Sequence, residues 1–323
     1  MSTFAEPQSV EAVIRGLLGG IDVAGGPTDE QLAVLRSFST HLFGRPDLDP
    51  STLIPLGPEQ TASMLADDAA ARRHFHWLHV ALEACRHPQE VEQVRAVEAY
   101  ANALHVEGAD IALFRTLVDD GTVRAAADYK RFGMGMLPRR GEAALAAGLP
   151  SADEADPALV ARLEAFADMP DDSLGRAYLS FYEEFGLTLP GSEASILNNF
   201  FVSHDMTHVI SGISTTAPGE VALGAFQMAM DDNDVNVSAM LSSFIIHEAG
   251  FGTPSTIPVA QEAVLVRPGA IDLLGQELAR GAACTSDFAL VDHLVLAPLP
   301  LEEVRARFGV QAPVNPEDGH HWW

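Results

Sequence analysis

The chain has 323 residues, 47% of them hydrophobic and 20% charged, and its 19 basic residues against 45 acidic ones give a formal charge of -26. This composition supports a buried core and excludes disorder, and the negative charge repels phosphate backbones and anionic headgroups, which argues against a nucleic-acid partner. The length exceeds the size at which one core usually stops growing and so predicts two domains.

In chain order, residues 1–140 predict an N-terminal helical domain. Met1–Gly20 lacks the basic start and apolar core of a signal peptide, and no stretch reaches the ~18 apolar residues of a membrane span, so the expected location is cytoplasmic. Thr28 followed by Gln31 makes a capping box, after which Leu32, Leu35, Ser39 and Leu42 keep one helical face. Phe75, Leu78, Leu82 and Cys85 repeat that spacing, as do Val91, Val94, Ala101 and Leu104. His74, His76, His79 and His87 scatter around this apolar stripe and are expected at the surface. Cys85 and Cys284 have no CxxC partner, so neither a disulfide framework nor a thiolate zinc site is indicated and both are expected to be inert thiols. The stretch His87–Gly121 resembles the paired helices of tellurite-resistance TerB-like domains.

Between Phe132 and Pro150 the run FGMGMLPRRGEAALAAGLP is rich in Gly and Pro, which places a linker and connecting helix at 141–167. Helices are then expected near 157–168, 173–186, 193–211, 219–230, 235–248, 269–280 and 300–308. No strand alternation is visible. The expected fold is all-α, with a helical domain over 168–310 preceded by a smaller one, and a frayed tail at 311–323.

Within the second half, Ile196, Phe200, His204 and His208 are four residues apart and form one row on the core-facing side of a helix. A buried imidazole needs a hydrogen-bond or metal partner, since an unsatisfied polar group inside costs on the order of 1–3 kcal/mol. Two imidazoles at i, i+4 are the arrangement by which HExxH helices hold one zinc ion, and Glu220, in the run HDMTHVISGISTTAPGE, offers a third oxygen ligand. Glu220 also suits the first turn of a helix through the macrodipole alone, but Ala217 stands where a reciprocal cap would need Ser or Thr. Asp205 is a direct ligand, an orienter of an imidazole, or a general base; spacing does not choose among these.

Other clusters carry less. His247 and Glu248, in FIIHEAGFG, are candidates to extend the site into a di-iron centre, against a plain helix-end role for His247. Asp231, Asp232 and Asp234 lack the placed Gly and terminal Glu of a calcium loop and read as a solvated turn. Glu183 and Glu184 read as exposed helix charges. His320, His321, Trp322 and Trp323 read as part of the frayed tail, with incidental metal affinity.

The residues Met169, Pro170, Leu174, Gly175, Arg176 and Tyr178, then His204, Asp205 and His208, then Gly219, Glu220 and Val221, match in order and spacing the coenzyme Q (ubiquinone) biosynthesis protein 4 family, and the resemblance runs over about 168–310. The ending RGAACTSDFALVDHLVLAPLPLEEVRARFGV is similar to that family's last segment. The resemblance implies a helical protein in which His204, Asp205, His208 and Glu220 bind one divalent ion, zinc above all, with Asp205 also a catalytic candidate. It implies a prenylated aromatic or isoprenoid lipid held near Arg176, Tyr178, Phe200, Phe226 and Met230, oxidative decarboxylation of the ring at carbon 1, and association with other biosynthetic proteins, the membrane periphery or a second copy. Phe200, Phe226, Met228, Met230, Met240, Leu241 and Phe244 would suit a greasy cavity, although helical stripes of Met and Phe are ordinarily core. Met169 stands where the family has Leu, the acidic run DDNDVN follows the Glu220 helix at 231–236, and an added helical domain of about 140 residues precedes the match, which leaves the ring open. The alternatives are a non-catalytic lipid-binding scaffold and a zinc hydrolase.

Overall fold

The computed structural model describes residues 7–65, 68–106, 139, 142, 145, 154–195, 197–250 and 263–323. Among these, the regular elements are helices: α1 (Pro7–Ile21), α2 (Asp29–Ser37), α3 (Pro58–Met64), α4 (Ala69–Ala84), α5 (Val91–Leu104), α6 (Pro157–Glu164), α7 (Leu174–Glu184), α8 (Asn198–Ser211), α9 (Ala217–Met230), α10 (Asp234–His247), α11 (Ala270–Ala282), α12 (His293–Leu296) and α13 (Leu301–Phe308). The protein is all-α. The second part of the TerB-like stretch (107–121), most of the Phe132–Pro150 run and Ile196 lie outside the described residues.

The chain forms two compact units, each discontinuous: Met1–Gly133 with Glu220–Ala282, and Met134–Gly219 with Ala283–Trp323. These boundaries differ from the successive segments 1–140, 141–167, 168–310 and 311–323 expected from the sequence. The physical reason lies in α10, which is buried nearly all round from Val235 to His247. A helix apolar on every side needs neighbours on every side, and α4 packs along it.

In the first unit, the Thr28–Gln31 capping box forms as expected. Leu35 and Ser39 are buried and Leu32 and Leu42 half-buried, because the chain widens into a π-turn at Phe38–Leu42 that packs on α11. Phe75, Leu78, Leu82 and Cys85 face the core; of the next stripe, Val91 is exposed. The surface placement of the α4 histidines is corrected: His76 and His79 are buried and His74 nearly so. His79 sits edge-on to the rings of Phe75 and Tyr100, with centroids 5.8 and 5.1 Å away, and its burial pushes the imidazole down to about 3. Close helix approach depends on missing side chains, since a Cβ at Gly224 would lie 2.5 Å from Ser243 Oγ and one at Gly281 would lie 2.1 Å from the Phe226 carbonyl oxygen.

In the second unit, the starts of α7 and α13 are tied by Leu174 N–H donating to Leu299 O at 2.8 Å and Leu301 N–H donating to Asp172 O at 2.8 Å. α7 turns Tyr178, Phe181 and Tyr182 inward at i, i+3 and i+4 toward α8. The tail is not frayed. Ile213 and His321 form an antiparallel bridge, Trp322 N–H donates to Gly212 O at 2.8 Å, and Ser214 N–H donates to His320 O at 2.9 Å. Its two tryptophans explain the docking, since Trp322 meets Phe181 edge-on at 5.4 Å and Arg305 lies 3.7 Å over the Trp323 ring.

Candidate metal centre

α8 carries His204, Asp205 and His208 on adjoining positions, and its C-terminus shapes the site. The helix ends at Gly212, whose φ of 70° is left-handed and whose N–H donates to His208 O at 2.8 Å. Glycine is needed there twice over, since a Cβ would also come within 2.6 Å of the Trp323 ring. The chain then turns back so that His208 Nδ1 meets the Ile213 carbonyl oxygen at 2.9 Å. A carbonyl only accepts, so Nδ1 carries the proton and Nε2 keeps its lone pair for a ligand. Arg305 completes the end by donating through Nε to Ile210 O and through Nη2 to Val209 O, both at 3.2 Å, a cation on the last carbonyls of the helix.

His208 Nε2 lies 3.2 Å from His204 Nε2. Ligand atoms of His204, Asp205 and His208 all fall within 4.8 Å of one another. The rings are braced on both sides: Phe181 stacks on His208 at 5.7 Å and Phe200 on His204 at 5.1 Å. Asp205 is 6% exposed and accepts a short hydrogen bond from the Tyr182 hydroxyl, which in turn accepts from Tyr178 at 2.9 Å. Burial first, and the Asp205 charge second, push both phenols well above their ordinary range, so they stay protonated donors.

The donor set fits a divalent ion. Two imidazole nitrogens each bound at about 2.0–2.1 Å subtend about 100° when they are 3.2 Å apart, close to the tetrahedral angle. The carbonyl partner on His208 and the phenol on Asp205 are the outer contacts that ordinarily hold metal ligands in place.

The remaining expected site residues fall as follows. Glu220 is the first residue of the other unit and stands in the opening turn of α9, a helix capped instead by Thr216, whose Oγ1 accepts from Gly219 N–H at 3.2 Å. Within the second unit the ligand atoms brought together are those of His204, Asp205 and His208. Arg176 donates to Ala167 O at 3.0 Å and sits 3.5 Å from Asp171. Tyr178 is wholly buried behind Tyr182, while Phe226 and Met230, with Met228, Met240, Leu241 and Phe244, are packed in the interior of the first unit. His247 is buried there too, and Glu248 groups with His87 and Glu30. Sequence reasoning missed Tyr182 and Trp322; the signal for Tyr182 was its i, i+4 relation to Tyr178 on the inner face of α7.

No family model and no curated protein matches the chain. Among solved structures, the chain is similar to a protein of Nostoc punctiforme PCC 73102 described as a candidate ubiquinone biosynthesis protein. The two are 15% identical, the match covers 75% of this chain and 98% of that one, and the TM-score is 0.33. At that score the likeness carries no argument about the site. Among the described residues, no helix is long and apolar enough to cross a membrane.

Proposed function

We propose that His204, Asp205 and His208 hold one divalent metal ion, zinc in the first instance, and that the protein uses it on a prenylated aromatic ring in ubiquinone-type biosynthesis. The observation that carries the metal reading is the 3.2 Å approach of two imidazole Nε2 atoms beside a buried carboxylate, with the His208 tautomer set by the Ile213 carbonyl. The ring and its reaction rest on the match of Pro170, Leu174, Gly175, Arg176, Tyr178 and the HDxxH run to the ubiquinone biosynthesis pattern. Three protein ligands leave a position open for a substrate oxygen, as in catalytic rather than structural zinc sites.

When bound, the ion would polarise a carboxylate or phenol oxygen of the ring as a Lewis acid. The chain's own residues supply the frame: Tyr182 holds Asp205, Phe181 and Phe200 fix the imidazole planes, and the half-buried Phe200 offers an aromatic face beside His204. The reaction that the resemblance implies breaks the bond from the ring to its carboxyl carbon, which leaves as carbon dioxide, and forms a ring–oxygen bond with oxygen from water, a two-electron oxidation in which dioxygen as co-reactant would be reduced to hydrogen peroxide.

The test combines metal analysis, native mass spectrometry of co-purified lipid, and aerobic turnover of a carboxylated prenyl-phenol. The expected result is one ion lost in His204→Ala with the fold intact, and turnover lost with it. Metal and lipid bound without turnover would replace the enzyme by a binding scaffold. A folded wild-type protein that takes up no ion at these residues would overturn the reading.

A further inference from the structure

A second group of ligand-type side chains lies wholly inside the first unit. Glu30 stands in the first turn of α2, His87 follows the end of α4, and Glu248 ends α10. Ligand atoms of the three lie within 4.8 Å of one another. His87 Nε2 is 2.8 Å from Glu248 Oε1 and 3.9 Å from Glu30 Oε1.

Three independent features say that this is more than an ion pair. The Glu248 side chain is fully buried, and its other oxygen accepts from Leu265 N–H at 2.8 Å, which fixes the plane of the carboxylate and aims Oε1 at the imidazole. The Glu30 side chain is only 8% exposed, and its Oε1, the oxygen directed at His87, is buried without a hydrogen-bond partner. Charge is the third feature. Two carboxylates share one imidazole, and burial resists net charge on such a group, so the second carboxylate is held either by a proton or by a cation that completes it. Two carboxylates, a neutral imidazole and a divalent cation sum to zero.

We propose that Glu30, His87 and Glu248 form a second metal site, taking a divalent first-row transition ion such as zinc, manganese or iron(II). Two oxygens and one imidazole nitrogen suit those ions, whereas calcium and magnesium favour all-oxygen shells. The separations of 2.8 and 3.9 Å bracket the ligand–ligand spacing around a four-coordinate ion with bonds of about 2.0–2.2 Å, so small side-chain rotations suffice to bind it. His87, 20% exposed, gives the ion a route in. The ion would join two segments remote in sequence, because Glu30 and His87 belong to the N-terminal stretch of this unit and Glu248 to the returning stretch. It clamps α10 to α2 and to the end of α4.

The experiment counts ions per chain in protein equilibrated with micromolar zinc and then dialysed, by elemental mass spectrometry, alongside melting curves. Wild type is expected to retain two ions, His204→Ala/His208→Ala one, Glu30→Gln/Glu248→Gln one, and the combination of all four none. Zinc is also expected to raise the melting temperature of His204→Ala/His208→Ala, and this rise should disappear when Glu30→Gln is added. Which pair removes which ion separates this site from the one on α8. Should the buried glutamines prevent folding, His87→Gln removes the ligand nearest solvent and is expected to lose the same ion. A wild-type protein holding no ion beyond the one removed by His204→Ala/His208→Ala overturns the proposal, as does a second ion that survives in folded Glu30→Gln/Glu248→Gln or His87→Gln.

Discussion

Replacing Tyr182 by Phe removes one oxygen atom and probes how Asp205 is held. The Tyr182 hydroxyl donates to Asp205 and accepts from Tyr178, and both tyrosines are buried. Its loss takes a donor from a buried carboxylate and the acceptor from a buried phenol. Each such change costs about 1–3 kcal/mol, the charged partner standing at the upper end. Metal affinity should fall about 10- to 100-fold, the usual effect of removing an outer contact that orients a ligand. Tyr178→Phe is the control: it deletes the outer hydroxyl, costs about 1 kcal/mol, and leaves zinc affinity within about twofold because the Tyr182–Asp205 contact survives. Zinc affinity is measured by competition with a chromogenic chelator, and stability by urea melts with chelator in excess. A Tyr182→Phe protein that binds zinc as tightly as wild type would refute the role given to this contact. Equal losses in both variants would refute it too, by making the effect one of packing.

Trp322→Ala should cost about 1–3 kcal/mol and weaken zinc binding several-fold, since Trp322 backs Phe181, which stacks on His208; affinity titrations against the urea melt check it. His79, held at about 3 when folded against 6.5 for the free side chain, is protonated first in the unfolded chain. Stability is therefore lost as pH falls from about 6.5 toward 3, and His79→Leu should flatten that acid limb in pH-dependent melts. Glu30 behaves oppositely: burial, then the hydrogen bond and charge of Glu248, push it up to about 9. In chelated protein its contribution is intact below about 4.5 and is lost as pH rises toward 9, so Glu30→Gln should stabilise the metal-free protein near pH 8 by on the order of 2 kcal/mol, less than full linkage because the proton is shared with Glu248.

Helix positions past residue 150 were legible because their apolar spacing and caps are local. The expected 157–168 is met by α6 and the 3-10 turn Ala165–Asp168, 300–308 by α13, and 269–280 by α11, while the short α12 passed unseen. The pairing of His204 with His208 was legible for the same reason, since i, i+4 neighbours meet on any helix. What sequence could not show depends on partners remote along the chain. An apolar stripe on α4 marks one buried side, yet α1, α5 and α10 pack round the helix and bury His76 and His79 off the stripe. In the same way, burial of α10 was implied by its composition but not its neighbour. The docked tail looked frayed because neither its residues nor their spacing name Gly212 and Phe181 as acceptors of Trp322.

The two ligand clusters differ in a way that bears on what each ion would do. On α8 the imidazoles come from one helix and their outer contacts from α7, α13 and the tail, so the frame around the ligands stands within one unit whether or not an ion is bound. Such prior positioning is what a site needs if an open coordination position is to receive a substrate. The Glu30, His87 and Glu248 side chains come from three elements, two of them separated by 161 residues, and what they share is buried negative charge. An ion there returns its binding free energy as stability of the unit, in the manner of structural metal sites. Chelation should therefore lower the melting temperature mainly through the second cluster, whereas loss of turnover should follow the first.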